Sequence, residues 1–342
     1  MGSRRSLPQS LRRKLLLNCL CFFLAALAGC KAKGDDTTAS ASSSATNAPF
    51  MSTVASTPPP TADDAPPPES TGGFDSKKAF AHVAKQVSFG PRPSGSQAIV
   101  QTQDYIQSEL KSYGCTAETD SFSADTPAGR LSMKNILVKI PGEMPGVILL
   151  GTHYDTKRLD NFVGADDGGS STAVMLELAR LLCKQRGKYA VWIAFFDGEE
   201  AVRLVWQDPD NRYGSRQMAA SFANSGDLKR IKALLLADIV GGRNSRFRRD
   251  DSSTRWLTDL VWEVAARLGY SSLFLNELTG IGGDDHHSFT QRNVPAVDVI
   301  DLNPDEVPYW HTPRDTLDKI SAKTLAVVGH VFLESVKQLQ AR

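Results

Sequence analysis

Five apolar runs of strand length recur along the chain, at 135–140, 147–152, 190–196, 233–240 and 294–300. They are the tightest constraint in the sequence. A strand apolar on both faces must be covered on both faces. Segments with helical spacing at 171–183, 215–222, 254–268 and 323–340 supply that cover. Upstream, 77–87 and 97–113 show the same spacing, with Tyr105, Ile106 and Leu110 on the apolar face and Gly114 as a stop. The expectation is one α/β domain.

In such folds ligands bind beyond the carboxyl ends of the strands. The chemistry-bearing residues of this chain fall at those ends. One strand runs into Gly151-Thr152-His153-Tyr154-Asp155, and the following loop carries Asp166-Asp167-Gly168-Gly169. The next ends in Asp197-Gly198-Glu199-Glu200, and another in Ala237-Asp238. Later loops carry Asp284-Asp285-His286-His287 and Trp310-His311-Thr312. Crowded carboxylates repel one another and are costly to bury, and a divalent cation removes that cost. Oxygen and imidazole donors without thiolate suit zinc in an open-sided catalytic site. Each piece alone has a plainer reading. Asp-Asp-Gly-Gly is ordinary turn chemistry, Glu-Glu suits a helix start, and Asp155 and Asp197 serve equally to orient a histidine or brace a turn. His82 and His330 lie on helical segments away from the cluster and read as structural.

The ordered set resembles the zinc-dependent aminopeptidase superfamily with co-catalytic zinc sites: His153-x-Asp155, Gly164-Ala165-Asp166-Asp167, Asp197-Gly198-Glu199-Glu200, the late His311-Thr312, and the upstream Gly90-Pro91-Arg92-Pro93-Ser94-Gly95. The likeness runs from about residue 80 to the C-terminus. Within that superfamily the segment from Phe195 through Trp206 to Arg216, Asp284-Asp285-His286 and Trp310-His311 are more similar to the animal-type glutaminyl cyclases. The resemblance implies a mixed, mostly parallel sheet flanked by helices. It implies one zinc per chain, held by Asp167, Glu200 and His311. It makes Glu199 the acid/base, Asp238 and Asp284 a carboxylate network beside it, and Trp206 and Trp310 walls of the substrate pocket. Asp298 stands where the animal cyclases carry histidine.

The implied reaction closes an N-terminal glutamine of a peptide or protein into pyroglutamate and releases ammonia. The rival within the superfamily is a two-zinc aminopeptidase, for which His153 and Asp238 would complete a second site. Asp284 favours the single-zinc reading, because a carboxylate sharing a proton with Asp238 makes it a poor ligand. A non-catalytic, lipid-anchored binding protein is the third reading.

The first residues read as an address. Arg4, Arg5, Arg12, Arg13 and Lys14 precede a short apolar run at 15–27 that ends in Leu27-Ala28-Gly29-Cys30. This is the form of a secretory signal over 1–29, with Cys30 placed as the lipidated residue of a bacterial lipobox. Residues 30–73, rich in Ser, Thr and Pro, read as a tether, and 74–342 as the catalytic domain. The expected location is the cell envelope, with the lipid at Cys30 as the only membrane contact. A net charge of +1 gives no basic footprint for nucleic acid. Whether Cys115 pairs with Cys183, and the oligomeric state, are not readable at this level.

Overall fold

The structure is a computed structural model that describes residues 61, 62 and 64–342. The expected signal segment and Cys30 lie outside the described residues. In chain order the elements are α1 (Ser76–Val87), α2 (Gln97–Ser112), β1 (Ala117–Thr126), β2 (Gly129–Ile140), β3 (Gly142–His153), α3 (Gly169–Leu182), β4 (Gly187–Phe196), α4 (Tyr213–Ser225), β5 (Ile231–Ala237), β6 (Phe247–Asp250), α5 (Arg255–Arg267), β7 (Phe274–Thr279), α6 (His287–Thr290), β8 (Ala296–Val299) and α7 (Ala322–Gln340).

Six strands form one sheet in the order β1-β2-β4-β3-β5-β8. β4, β3, β5 and β8 run parallel to their neighbours, while β1 and β2 add an antiparallel edge. The expected mixed, mostly parallel sheet is therefore present. All five apolar runs became strands of it. β3 shows why both faces are covered: Ile148 and Leu150 enter one core with α1, α3, α5 and α7, whereas Val147 and Leu149 enter a second core with α4. Each such side chain contributes about 1.5–3 kcal/mol on burial, so period-two alternation feeds both layers at once. β6 and β7 make a separate two-stranded sheet.

The helices begin where their capping chemistry allows. Ser96 accepts from the Ile99 amide at the start of α2, and Ser321 from the Thr324 amide at the start of α7. The body also begins earlier than expected. The Asp64 carboxylate accepts from the Ser321 hydroxyl and the Ala322 amide, and Pro68–Thr71 forms a 3-10 turn. Thr71 and Phe74 are buried. Phe74 lies flat on α7 at Gly329, where any Cβ would overlap its ring. The boundary expected between 73 and 74 thus falls inside the folded unit, because a polar, Pro-rich sequence still supplies a helix cap. Cys115, before β1, is disulfide-bonded to Cys183 at the end of α3.

Candidate active site and metal centre

β3 pairs with β4 on one side and β5 on the other, so the chain changes direction at its carboxyl end and a crevice opens there. A cavity of about 210 Å³ occupies that place. Its lining includes Asp167, Glu199, Glu200, Trp206, Asp238, Asp284, Trp310 and His311, with Ile239, Ile281, Ile300 and Leu302 as apolar walls. The residues read from the sequence as metal ligands, acid/base group, carboxylate network and pocket walls therefore meet at one cavity, and His153 is not among its lining residues.

The loop after β3 delivers Asp167. Gly168, at φ 74°, has no room for a side chain: a Cβ would lie 2.8 Å from the Asp155 carbonyl and 3.0 Å from the His153 ring. Asp315 accepts from the Asp166 amide at 2.8 Å and the Asp167 amide at 3.1 Å, fixing the turn. The fully buried Arg92 donates to the carbonyls of Tyr154, Val163 and Gly164, which holds the rest of the loop. The β4 end delivers the two glutamates. Asp155 accepts from the amides of both Glu199 (3.1 Å) and Glu200 (3.3 Å), and it stands 3.5 Å from His153 Nδ1. It thus braces the turn and faces the histidine. Asp197 points the other way, accepting from Ser94, Gln103 and the Lys134 amide, and has no place in the pocket.

Two donor sets share Asp167. Asp167, Glu200 and His311 converge, with His311 Nε2 3.3 Å from Asp167 Oδ2 and 3.1 Å from Glu200 Oε1. Asp167 Oδ2 is buried without a hydrogen-bond partner. Two carboxylates, one imidazole and an orphaned oxygen fit zinc. Burial disfavours a charged His311, yet Glu200 and Asp167 raise its pKa to about 10: the carboxylates favour a positive charge at this point, which a bound cation would supply. Burial also pushes Asp167 up, but the two imidazoles of His153 and His311 outweigh it and hold the carboxyl below its usual range.

The second set is His153, Asp167 and Asp238. Here His153 Nε2 and Asp238 Oδ1 are hydrogen-bonded at 2.9 Å. Burial, with Asp167 and Asp284 adding to it against His153, raises Asp238 to about 7. Asp284 does not hydrogen-bond to Asp238. Its Oδ1 accepts from the Asp285 amide, and its buried Oδ2 has no partner. The shared proton expected between Asp238 and Asp284 is thus replaced by a His153–Asp238 bond, and Asp284 acts on Asp238 only through charge.

Glu199 lies beside both sets and belongs to neither. Burial pushes its pKa well above the usual carboxylate range; Asp284, Glu200 and Asp285 add to this and His153 opposes it. Its Oε1 accepts from the Trp206 indole N–H at 3.0 Å. Trp206 is therefore a polar partner of Glu199 as well as a wall of the cavity. Trp310 stacks on the His311 ring at 4.1 Å, and Phe162 meets that ring edge-on. Trp310 is 40% exposed, so it belongs to the cavity mouth rather than the core.

Three participants escaped the sequence reading. Asp315 follows the His311-Thr312 pair by only a few residues, and an acid so placed was a legible signal. Lys157 is buried, donates to the Ala201 carbonyl at 2.9 Å and stands 3.4 Å from Glu200 Oε2. Tyr309 donates to Asp166. His82 and His330 bond to tyrosines on the helical layer, as expected of structural histidines.

A family model described as "Peptidase family M28" matches residues 135–336. A glutaminyl-peptide cyclotransferase of Bos taurus is 32% identical over 256 residues, covering 63% of this chain and 70% of that protein. Among solved structures, a glutaminyl cyclase of an Acidobacteriales bacterium has 39% identity and a TM-score of 0.74, covering 79% of this chain and 96% of that one. A Zn-dependent exopeptidase of Parabacteroides distasonis has 30% identity and a TM-score of 0.69, covering 76% and 97%.

Proposed function

The chain belongs to peptidase family M28 and, within it, to the glutaminyl cyclases, and from that premise we propose that it is a single-zinc cyclotransferase acting on N-terminal glutamine of peptides and proteins. The observation that carries the single-zinc mechanism is the Glu199–Trp206 pair beside one complete donor set, with Asp238 engaged by His153.

Asp167, Glu200 and His311 would hold the zinc. When bound, zinc supplies a Lewis acid for the carbonyl of the glutamine side-chain amide. The remaining work falls to the chain's own residues. The α-amine must reach the amide carbon to close a five-membered ring, and the narrow cavity between Trp206, Trp310 and Ile239 supplies the proximity. The amine loses a proton as the C–N bond forms, and the amide nitrogen gains one as ammonia departs. Glu199 takes the first and returns it as the second; its raised pKa suits a group that must hold a proton between the two events. Trp206 keeps the Glu199 carboxylate aimed into the cavity. Apolar walls exclude water, which separates cyclisation from hydrolysis.

We further propose export and lipid anchoring at Cys30. The Cys115–Cys183 disulfide supports the exported part of this reading, because such bonds persist in oxidising compartments.

The test is a panel of dipeptides initiated by Gln, Glu, Asn and Leu, scored by mass and by ammonia release. Loss of ammonia in the Gln series alone is the expected result. The shorter Asn side chain would have to close a strained ring, and the Glu carboxylate is a poor electrophile. Free leucine released efficiently with the Gln peptides unchanged would return the chain to the aminopeptidases.

A further inference from the structure

We propose that the face at the amino ends of β3, β4 and β5, opposite the catalytic cavity, is a docking surface for a bilayer that contains anionic phospholipid. The surface does not depend on the cyclase reading; the way it is brought to a membrane rests on the anchor proposed at Cys30.

The charges of the chain are sorted to two ends. The net charge is only +1, yet Asp167, Glu199, Glu200, Asp238 and Asp284 gather at the cavity. β4 has 10 residues, and at about 3.3 Å per residue some 33 Å separates its two ends. At the amino ends, the segments entering β4 and β5 and the end of α7 carry Lys184, Arg186, Lys188, Lys229, Lys232 and Arg342. None of these six forms an ion pair among the described residues, and neighbouring acids are committed elsewhere: Asp227 to Arg230 at 2.6 Å, Glu118 to Lys139 at 2.7 Å and Glu334 to Lys337 at 2.6 Å. Glu143, exposed at the start of β3, is left against them.

The cations are held at short range. Lys188 and Lys232 both lie over the Tyr189 ring, at 5.1 and 5.0 Å, and Arg342 lies over Trp256 at 5.2 Å. Like charges on one ring repel. The ring offsets part of that repulsion, and anions in front of it remove more. A groove of about 460 Å³ runs between Lys229, Lys232, Arg342, Tyr189 and Trp256, and no side-chain carboxylate lines it. Lys184, Lys229, Lys232 and Arg342 are exposed. The charge is thus spread over a face, which fits a charged surface better than one small anion.

Two observations select a bilayer as that surface. Met144 is 53% exposed and Trp256 39% exposed, Trp256 beside Arg342 and Met144 as the register partner of Tyr189. Apolar side chains that project among Lys and Arg match interfacial binding, in which the apolar groups enter the headgroup layer and the basic ones meet phosphates. The second observation is reach. Asp64 bonds to Ser321 at the start of α7, and the 19 residues of α7 span about 28 Å. The chain between Cys30 and Asp64, at up to about 3.6 Å per residue, is longer than that. A lipid at Cys30 can therefore enter the bilayer on which the far end of α7 rests. Docked this way, the cavity opens away from the membrane, toward peptide N-termini in solution, and the lipid is joined by a second membrane contact.

The experiment places the full-length chain on vesicles of phosphatidylcholine with and without phosphatidylglycerol. Lysines are acetylated briefly and each is read by mass spectrometry. Lys184, Lys188, Lys229 and Lys232 should be labelled several-fold less on the anionic vesicles, because basic side chains near such a surface are drawn onto it. Lys323, in the first turn of α7, should be labelled equally on both. In the Lys188→Gln/Lys229→Gln/Lys232→Gln variant the protection of Lys184 should be lost, with ammonia release from a Gln-initiated dipeptide unchanged. Equal labelling of the four lysines on both vesicles overturns the proposal. So does protection by soluble glycerophosphate or by poly-glutamate as strong as by vesicles, which would make the face a small-anion or an acidic-protein site. Failure of the cyclase reading looks different: the wild type would release no ammonia and keep the footprint. Failure of the anchor would also keep it at low salt, and the chain would then leave the anionic vesicles at high salt.

Discussion

Replacing Glu199 by glutamine removes one capability and little else. The amide has the shape of the carboxyl group and keeps an oxygen that can accept from Trp206 N–H, now at 3.0 Å. The backbone bond from Glu199 to Asp155 is untouched. Glu199 is not part of the Asp167–Glu200–His311 set, so metal content should be unchanged. What is lost is the transfer of a proton from the attacking amine to the departing ammonia. Positioned acid/base groups contribute about 10²–10⁴ in rate. At about 1.36 kcal/mol per decade, that is roughly 2.7–5.4 kcal/mol of barrier. A steady-state ammonia-release assay on a Gln-initiated dipeptide should therefore show kcat down by about 10²–10⁴ with KM within a few-fold of wild type. Zinc measured on the same sample should match the wild type. A fall in kcat of less than about tenfold would refute the proton-shuttle argument, and loss of zinc along with activity would make Glu199 a ligand or a structural acid.

Three further outcomes follow from the geometry. Reducing the Cys115–Cys183 bond, which closes a separation of 68 residues, should lower unfolding stability by about 4 kcal/mol by the chain-entropy estimate; denaturant titration with and without reductant measures it, and coincident curves would deny the bond. Deleting residues 1–63 should leave a folded, active enzyme, whereas deletion through 73 also removes the Asp64 bonds to Ser321 and Ala322 and should cost at least the value of a helix cap, about 0.5–2 kcal/mol; equal melting temperatures for the two truncations would contradict the docking of 64–73. In the metal-free chain, buried Asp238 and Asp197, raised to about 7, and Asp285, raised to about 8, bind protons more tightly folded than unfolded. Their contribution is complete below the ordinary carboxylate pKa and is lost as pH rises through about 7–8. Chelated protein should accordingly melt at lower temperature near pH 8 than near pH 5, and the opposite slope would refute these shifts.

The legible part of the fold was the part whose burial leaves a one-dimensional trace. Strands β3, β4 and β5 are almost continuously buried, so they read as apolar runs. β1 escaped because it pairs only with β2 at the sheet edge and its sequence, AETDSFSADT, is polar with no buried residue. β6 and β7 are too short to carry a period. The site was legible for a related reason: parallel strands end at one edge, so residues far apart in sequence meet there without the sequence having to say how. Partners across the fold were not legible. That Asp64 would cap α7, that Cys115 would meet Cys183, and that His153 rather than Asp284 would engage Asp238 are facts of three-dimensional adjacency between segments with no shared pattern.

Asp167 carries a lesson for sorting related sequences. One of its oxygens faces His153 and the other faces His311, so the ligand types of a one-metal and a two-metal centre coexist in a single chain. On the single-zinc reading proposed above, aminolysis and hydrolysis would diverge on this scaffold without a ligand being replaced, through a change in what occupies Asp238. A classification built on the presence of ligand residues would merge the two kinds of enzyme. The positions with discriminating power are those that contact or charge the candidate ligands from behind: Trp206 against Glu199, and Asp284 near Asp238.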